Sequence, residues 1–223
     1  MPPISSPAAS SQTVATQWIV FGDDWGTHPS TTQHLILSLP PRDRVVWVES
    51  IGMRTPKINL VDARRIVQKA GRLLRSGDAR AGALYERDSA QVEVVRPKVL
   101  PWHGSAGVRR LNGVSLARSV GRALAPGFGG QTVLLSSVPV VADYLDRFAS
   151  CHAVAYLRLD DYAHYPGVDP ELVEASETRM YERADVVFAT SRQLLPPPPF
   201  THKGVYLPQG VNWAHFAGAS LTP

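Results

Sequence analysis

The chain has 223 residues, of which 44% are apolar and 19% are charged. It can therefore form one domain with a buried core, which excludes a disordered protein. Its single cysteine, Cys151, excludes a disulfide framework and a cysteine-based zinc site. No apolar run approaches the ~18 residues that span a bilayer, and residues 1–16 lack the features of a signal peptide. We expect a cytoplasmic protein, soluble or peripheral at the inner face of a membrane.

The net charge of +4 is unevenly distributed along the chain. Residues 1–50 hold two basic and four acidic side chains. Residues 51–125 hold fifteen basic and five acidic side chains, and residues 126–223 hold six basic and ten acidic ones. The central block, at 15 − 5 = +10, is typical of a protein that meets phosphate or acidic lipid headgroups, and equally of a solvated helical face. Nucleic acid is not an expected partner, because the block lacks interleaved aromatic residues and known nucleic-acid-binding patterns.

Strand and helix signals alternate along the chain. Short β-branched and aromatic runs predict strands at Gln17–Gly22, Arg44–Glu49, Gln91–Val95, Thr132–Ser136, His152–Leu157, Asp185–Ala189 and Gly204–Leu207. Helical spacing and helix start and stop signals predict helices at Ser30–Leu39, Asn59–Arg75, Gly107–Leu124, Val140–Phe148 and Pro170–Arg183. This alternation indicates a doubly wound, mainly parallel α/β sheet of the Rossmann-like type.

Ligands of such sheets bind beyond the carboxyl ends of the strands, so polar residues that follow a strand are the candidate site. These positions include Asp23–His28, Ser50–Arg54, Trp102–Ser105, Ser136–Ser137, Arg158–Tyr162, Thr190–Arg192 and Gln209–Gly210. We expect them to gather along one edge of the sheet.

Several common chemistries lack their motifs. No glycine-rich dinucleotide or phosphate-binding loop follows the first strand, and no nucleophile elbow occurs. Asp23, Asp24 and His28 could ligate a metal from a loop, but the same residues also suit a turn that caps the next helix. No metal is expected.

The adjacent carboxylates Asp160 and Asp161 follow a predicted strand, beside Arg158 and Tyr162. A carboxylate at this edge can take the proton of an attacking hydroxyl, which is the work of a general base. The alternative is that both carboxylates only cap the loop. The residues alone leave both interpretations open.

Several segments, in their order along the chain, resemble the N-terminal domain of GT-B glycosyltransferases of the group 1/family 4 kind. The second half carries the segments Asp160-Asp161-Tyr162, Pro166–Glu171, Arg183-Ala184-Asp185, Val187–Ser191 and Leu207–Phe216. The first half is similar to bacterial exopolysaccharide-type members over Phe21–Ser30, Val46–Arg54 and Leu100–Gly104. The resemblance covers residues 17–216.

The resemblance implies transfer of a sugar from a nucleotide-sugar cosubstrate to an acceptor hydroxyl in glycan or polysaccharide biosynthesis, with no further cofactor. Asp160 matches the carboxylate proposed as the base in similar enzymes, and Gly210 and Asn212 match the interdomain link. The partner is expected to be a sugar or lipid-linked acceptor. Its cleft is expected to include Asp23, Asp24, Trp25, His28, Arg54, His103, Arg158, Asp161 and Tyr162.

In the family, most contacts with the donor come from a second domain that follows the interdomain link. The acidic E-x7-E motif of that domain is missing before Pro223. We expect a disordered tail (1–16), a single GT-B half-domain (17–216) and the start of a truncated linker (217–223), with activity that requires a donor domain. The alternatives are a truncated non-catalytic remnant and an acceptor-binding module that needs a separate donor-domain chain. A further possibility is peripheral contact of Asn59–Arg75 with an anionic membrane.

Overall fold

The structure is a computed structural model that describes residues 14–49, 51–53 and 92–210. The predicted helix Asn59–Arg75 lies outside these residues, as do the predicted site residues Arg54 and Asn212. Residues 1–13 of the predicted tail and the whole of the predicted linker 217–223 also lie outside them.

Within the described residues, seven parallel strands form one sheet in the order β3-β2-β1-β4-β5-β6-β7. Each strand lies within one residue, at either end, of its position predicted from the sequence. The doubly wound α/β sheet of Rossmann-like type is therefore confirmed. The strands are β1 (Thr16–Phe21), β2 (Arg44–Val48), β3 (Val92–Val95), β4 (Gln131–Ser136), β5 (Ala153–Arg158), β6 (Val186–Ala189) and β7 (Gly204–Tyr206).

Three α-helices occur in the described part of the chain, namely α1 (Thr31–Leu37), α2 (Ala106–Ala123) and α3 (Pro170–Arg183). Polar caps explain two of the starts, because Ser30 and Asp169 accept hydrogen bonds from the backbone N–H of the third residue after them. The predicted helix at Val140–Phe148 is present as the 3-10 helix Pro139–Phe148. Short 3-10 turns also occur at Tyr162–His164, Arg192–Leu194 and Phe200–Lys203.

Apolar residues fill both faces of the sheet, as expected for a parallel sheet covered on both sides. On one face, buried strand residues pack with Leu116 of α2, Tyr144 of the 3-10 helix and Met180 of α3. On the other face, Trp47 of β2 packs with Trp25 and with Ile36 of α1. Among the described helices, none combines the length and the apolar character needed to cross a bilayer.

Candidate functional site

The candidate site lies where the order of the strands reverses, between β1 and β4. In doubly wound sheets the loops that leave these two strands diverge to opposite faces and form a crevice. The backbone N–H of Ser137 donates to the carbonyl oxygen of Phe21 at 2.9 Å, so the two strand ends meet at the base of this crevice. The loops after β1 and β5 carry the predicted functional residues on either side of β4.

The loop after β1 is shaped by the fully buried Gln33, which the sequence prediction missed. The Gln33 Nε2 donates to Asp23 Oδ1 at 3.2 Å and to the carbonyl oxygens of Asp24 and His28 at 3.4 and 3.2 Å. Its Oε1 accepts from the backbone N–H of Gly26 at 3.2 Å. A Ser/Thr-x-x-Gln capping pattern, Ser30 to Gln33, was the available signal.

Within this loop, the four predicted cleft residues divide into two kinds. Trp25 is 5% exposed and packs edge-on against Trp47 with ring centroids 4.8 Å apart. The half-buried Asp23 accepts a hydrogen bond from Ser30 Oγ at 3.1 Å. Both therefore help to hold the loop, whereas Asp24 and His28 are exposed and available to a ligand.

His103 lies inside the protein and not on the exposed edge predicted for it, since none of its surface is exposed. Its Nε2 lies 3.0 Å from the carbonyl oxygen of Gly52 and its Nδ1 lies 3.0 Å from the Tyr144 hydroxyl. A carbonyl oxygen only accepts, so we assign the ring proton to Nε2. Burial lowers the pKa of His103, which keeps the ring neutral. His103 thus joins the segment after β2 to the 3-10 helix.

Arg158, at the end of β5, is occupied by a buried carboxylate. Its Nε and Nη2 donate to the two oxygens of Glu177 at 2.8 and 2.9 Å. The hydroxyls of Tyr156 and Tyr181 also donate to Glu177, at 2.9 and 3.4 Å. Burial first, and then the Glu177 charge, raises the pKa of both tyrosines. This cluster holds α3 to the end of β5, and its acceptor, Glu177, was not predicted.

Asp160 is exposed in the loop that follows β5. Its Oδ1 accepts from the backbone N–H of Asp161 at 2.8 Å, and its Oδ2 accepts from the Tyr165 hydroxyl at 2.5 Å. The hydrogen bond to Asp160 is the main cause that raises the pKa of Tyr165 to about 12. Each carboxylate oxygen has two acceptor positions, so the carboxylate is oriented and can still accept from a further donor.

The loop that holds Asp160 also contains Asp161 and Tyr162. The half-buried Asp161 pairs with His164 Nδ1 at 3.0 Å and lies 3.9 Å from Arg158 Nη2. Tyr162 is 8% exposed, and burial is the main cause that raises its pKa. The charges of Asp160 and Asp23 also raise the pKa of Tyr162.

The structure thus places some of the predicted site residues on neighbouring loops, and others away from these loops. The loops of Asp23 and Asp160 follow β1 and β5, the two strands on either side of β4. His103 is held within the core, and Gly210 is exposed beyond β7. Across residues 14–49, 51–53 and 92–210, no three His, Cys, Asp or Glu side chains are grouped so that they could hold a metal ion.

Chemically, the edge offers an oriented, exposed carboxylate beside a phenol. Such a carboxylate can accept a proton from a hydroxyl that approaches from solvent, provided that the hydroxyl reaches hydrogen-bond distance. Arg158 is held by Glu177, since Nε and Nη2 donate to that carboxylate, and Nη1 donates to the Leu194 carbonyl oxygen at 3.2 Å, which leaves two of its five N–H groups for other acceptors.

In a comparison with solved structures, this chain is similar to a UDP-glucosyltransferase from Polygonum tinctorium that is capable of glucosylating indoxyl, in complex with 3,4-dichloroaniline. The TM-score is 0.48 and the sequence identity is 13%, over 94% of this chain and 55% of that chain. This chain therefore spans little more than half the length of that enzyme. No protein-family model and no curated protein matches the sequence.

Proposed function

We propose that this chain is the acceptor-binding half of a glycosyltransferase, which transfers a sugar from a nucleotide-sugar donor to the hydroxyl of an acceptor. The order of the motifs within residues 17–216, which resembles the N-terminal domain of GT-B enzymes of the family 4 kind, supports this proposal. The proposed acceptor is a sugar or a lipid-linked sugar of glycan or polysaccharide biosynthesis. The nucleotide sugar is a cosubstrate, and no further cofactor takes part.

The observation that carries the proposal is that the Asp160 carboxylate is both exposed and oriented by hydrogen bonds. This carboxylate lies at the carboxyl edge of the sheet, where ligands of such folds bind. It is exposed, and the bonds from Asp161 N–H and the Tyr165 hydroxyl orient it without occupying all of its acceptor positions. By contrast, the buried carboxylate of Glu177 in the same half of the sheet is fully engaged by Arg158, Tyr156 and Tyr181.

In the proposed reaction, Asp160 takes the proton of the acceptor hydroxyl as its oxygen attacks the anomeric carbon of the donor sugar. The bond between that carbon and the nucleoside diphosphate breaks, and the diphosphate leaves with the electron pair. Protein groups are proposed to stabilise its charge, and by resemblance most of them belong to a second, donor-binding domain. Gly210 and Asn212 are proposed to lead towards that domain.

The other residues of the crevice are proposed to position the base and the acceptor. Tyr165 fixes the carboxylate of Asp160 through its hydroxyl. Asp161 braces the same loop through its bond with His164. The exposed side chains of Asp24 and His28, on the loop after β1, are proposed to contact the acceptor.

The test is a transfer assay with Asp160→Asn, run with the chain alone and with a separately produced donor-binding domain. Asparagine keeps the size of the side chain but removes its basicity, so we expect the transfer rate to fall by about 10²–10⁴-fold. Release of nucleoside diphosphate from a panel of nucleotide sugars measures the rate. The matched control is Asp146→Asn, which changes a carboxylate that is 83% exposed and paired with Arg183 on the surface.

Near-normal transfer by the Asp160→Asn variant would remove Asp160 as the base. Binding of oligosaccharide acceptors without transfer in either arm would instead favour the acceptor-binding module. If the chain neither transfers nor binds an acceptor, the proposal of a glycosyltransferase half is wrong.

A further inference from the structure

The exposed side of α2 carries a row of cations. Arg110, Arg118 and Arg122 are exposed along the helix, and Lys98 is exposed on the segment after β3. Residues 94–142 contain no acidic residue at all. Positive charge on this side of the molecule is therefore not balanced by neighbours in the sequence.

These four cations line an open groove of about 1010 Å³ between α2 and the segment that follows β3. Three serine hydroxyls, of Ser105, Ser115 and Ser119, also line the groove and can donate hydrogen bonds to an anion. Leu111 lies on the same side of α2 and is 63% exposed. The surface thus combines cations and hydroxyl donors with an exposed apolar side chain.

The cations of the row differ in pairing from six other arginines of the described chain and resemble Arg42, Arg147 and Arg192, which are likewise exposed without a carboxylate partner in that part of the chain. Carboxylate oxygens lie within 4.0 Å of side-chain nitrogens of Arg44, Arg96, Arg109, Arg158, Arg179 and Arg183. In the described part of the chain, Lys98, Arg110, Arg118 and Arg122 have no such partner. A row of uncompensated cations creates a positive potential that attracts an anionic partner.

The spacing of the row identifies the shape of that partner. Arg110, Arg118 and Arg122 lie eight and four residues apart, which places them on one side of the helix. At 1.5 Å per residue, Arg110 and Arg122 are separated by about 18 Å along the axis, so they cannot converge on one phosphate group. The row therefore fits an extended anionic surface.

We propose that this side of α2 is a docking surface for the anionic phospholipid headgroups of a bilayer. Exposed Leu111 favours a bilayer over a nucleic acid, because an apolar side chain gains by entering the interface between headgroups and acyl chains. The helix also has no aromatic residue on which a base could stack. The proposal goes beyond sugar transfer and does not depend on it.

The test is co-sedimentation of the full chain with vesicles that contain phosphatidylglycerol and phosphatidylcholine, and with vesicles of phosphatidylcholine alone. We expect binding only to the anionic vesicles. Binding should fall steeply with salt, because the Debye length shortens from about 10 Å at 0.1 M to about 3 Å at 1 M. In Arg118→Glu/Arg122→Glu, we expect the affinity to fall by about tenfold or more for each reversed charge.

Two control variants show whether binding depends on charge and on its place along α2. Arg192→Glu changes the net charge by as much as one reversal on α2 does. Arg192 lies away from α2, beside β7, where it stacks on Tyr206. The Arg192→Glu variant should bind vesicles like the unchanged chain. Arg118→Lys/Arg122→Lys should also bind, because a surface potential requires charge, whereas a bidentate anion pocket requires the guanidinium group.

The proposal is wrong if the chain does not bind anionic vesicles, or if Arg118→Glu/Arg122→Glu binds them as well as the unchanged chain while circular dichroism shows both folded. Binding to an oligonucleotide or to inorganic phosphate, without binding to vesicles, would also overturn it. Sedimentation requires neither donor nor acceptor, so this result is separate from the outcome for Asp160.

Discussion

The buried cluster of Arg158 and Glu177 and the row of arginines on α2 use positive charge in opposite ways. At the end of β5, Arg158 is bound by both oxygens of Glu177, a carboxylate that is 5% exposed and also accepts from Tyr156 and Tyr181. On the outer side of α2, Arg118 and Arg122 are exposed and have no carboxylate partner among the described residues.

The difference shows that the charge of a residue does not reveal its role. A buried charge is tolerated only when it is paired and its hydrogen bonds are satisfied, so the Glu177 cluster holds the fold together. An exposed charge costs little whether or not it is paired, so the row on α2 contributes little to stability and remains available to a partner. The two groups should therefore respond differently to mutation.

The largest effect is expected when the buried pair is broken. Glu177→Leu leaves the half-buried Arg158 without its carboxylate and removes the acceptor of two tyrosine hydroxyls. We expect the free energy of unfolding to fall by about 3–5 kcal/mol, as measured by urea denaturation. The double variant Arg158→Met/Glu177→Leu should recover part of the loss, because no uncompensated charge remains. An equal or larger loss in the double variant would contradict this prediction.

A smaller effect is expected at His103, whose buried ring is hydrogen-bonded to two neutral groups. His103→Phe leaves the Gly52 carbonyl and the Tyr144 hydroxyl without this partner, and should cost about 1–3 kcal/mol. In the unchanged chain, burial lowers the pKa of His103 below its ordinary 6.5 in the folded state alone.

The unfolded state therefore takes up a proton at a higher pH than the folded state does. The His103 contribution to stability is complete above pH 6.5, and is lost as the pH falls from 6.5 through the lowered pKa of the folded state. Urea midpoints at several pH values should show this acid loss in the unchanged chain, with a weaker one in His103→Phe. Equal acid losses in the two proteins would rule out His103 as the source.

The smallest effect is expected on the outer side of α2. Arg118→Glu/Arg122→Glu breaks no ion pair with a described residue, so we expect the free energy of unfolding to change by no more than about 0.5 kcal/mol. The midpoint of urea denaturation measures this change. A loss as large as that of Glu177→Leu would show that the row supports the fold, and would remove the contrast between the two groups.

Local patterns in the sequence were sufficient for most of the secondary structure. The β-branched run before Glu49 and the capped helix that begins at Pro170 are encoded by neighbouring residues, and both were predicted within one residue. The 3-10 winding of Pro139–Phe148 was not predicted, because apolar spacing does not separate the two kinds of helix. The position of Asp160 after a strand also followed from the sequence, and its role as a base remains a prediction.

The environment of each polar side chain required the tertiary structure. Arg158 and Glu177 are 19 residues apart in different elements, and no local pattern pairs them. His103 follows a predicted strand like the exposed Asp160, yet it is buried against Gly52 and Tyr144.

The sequence by itself determined the parallel α/β sheet and the excess of positive charge, because periodicity and composition are local properties of the chain. Only the tertiary structure decided that Arg158 faces a buried carboxylate while Arg118 faces solvent. The reason is physical, since desolvation and pairing depend on which distant segments the order of the strands brings together.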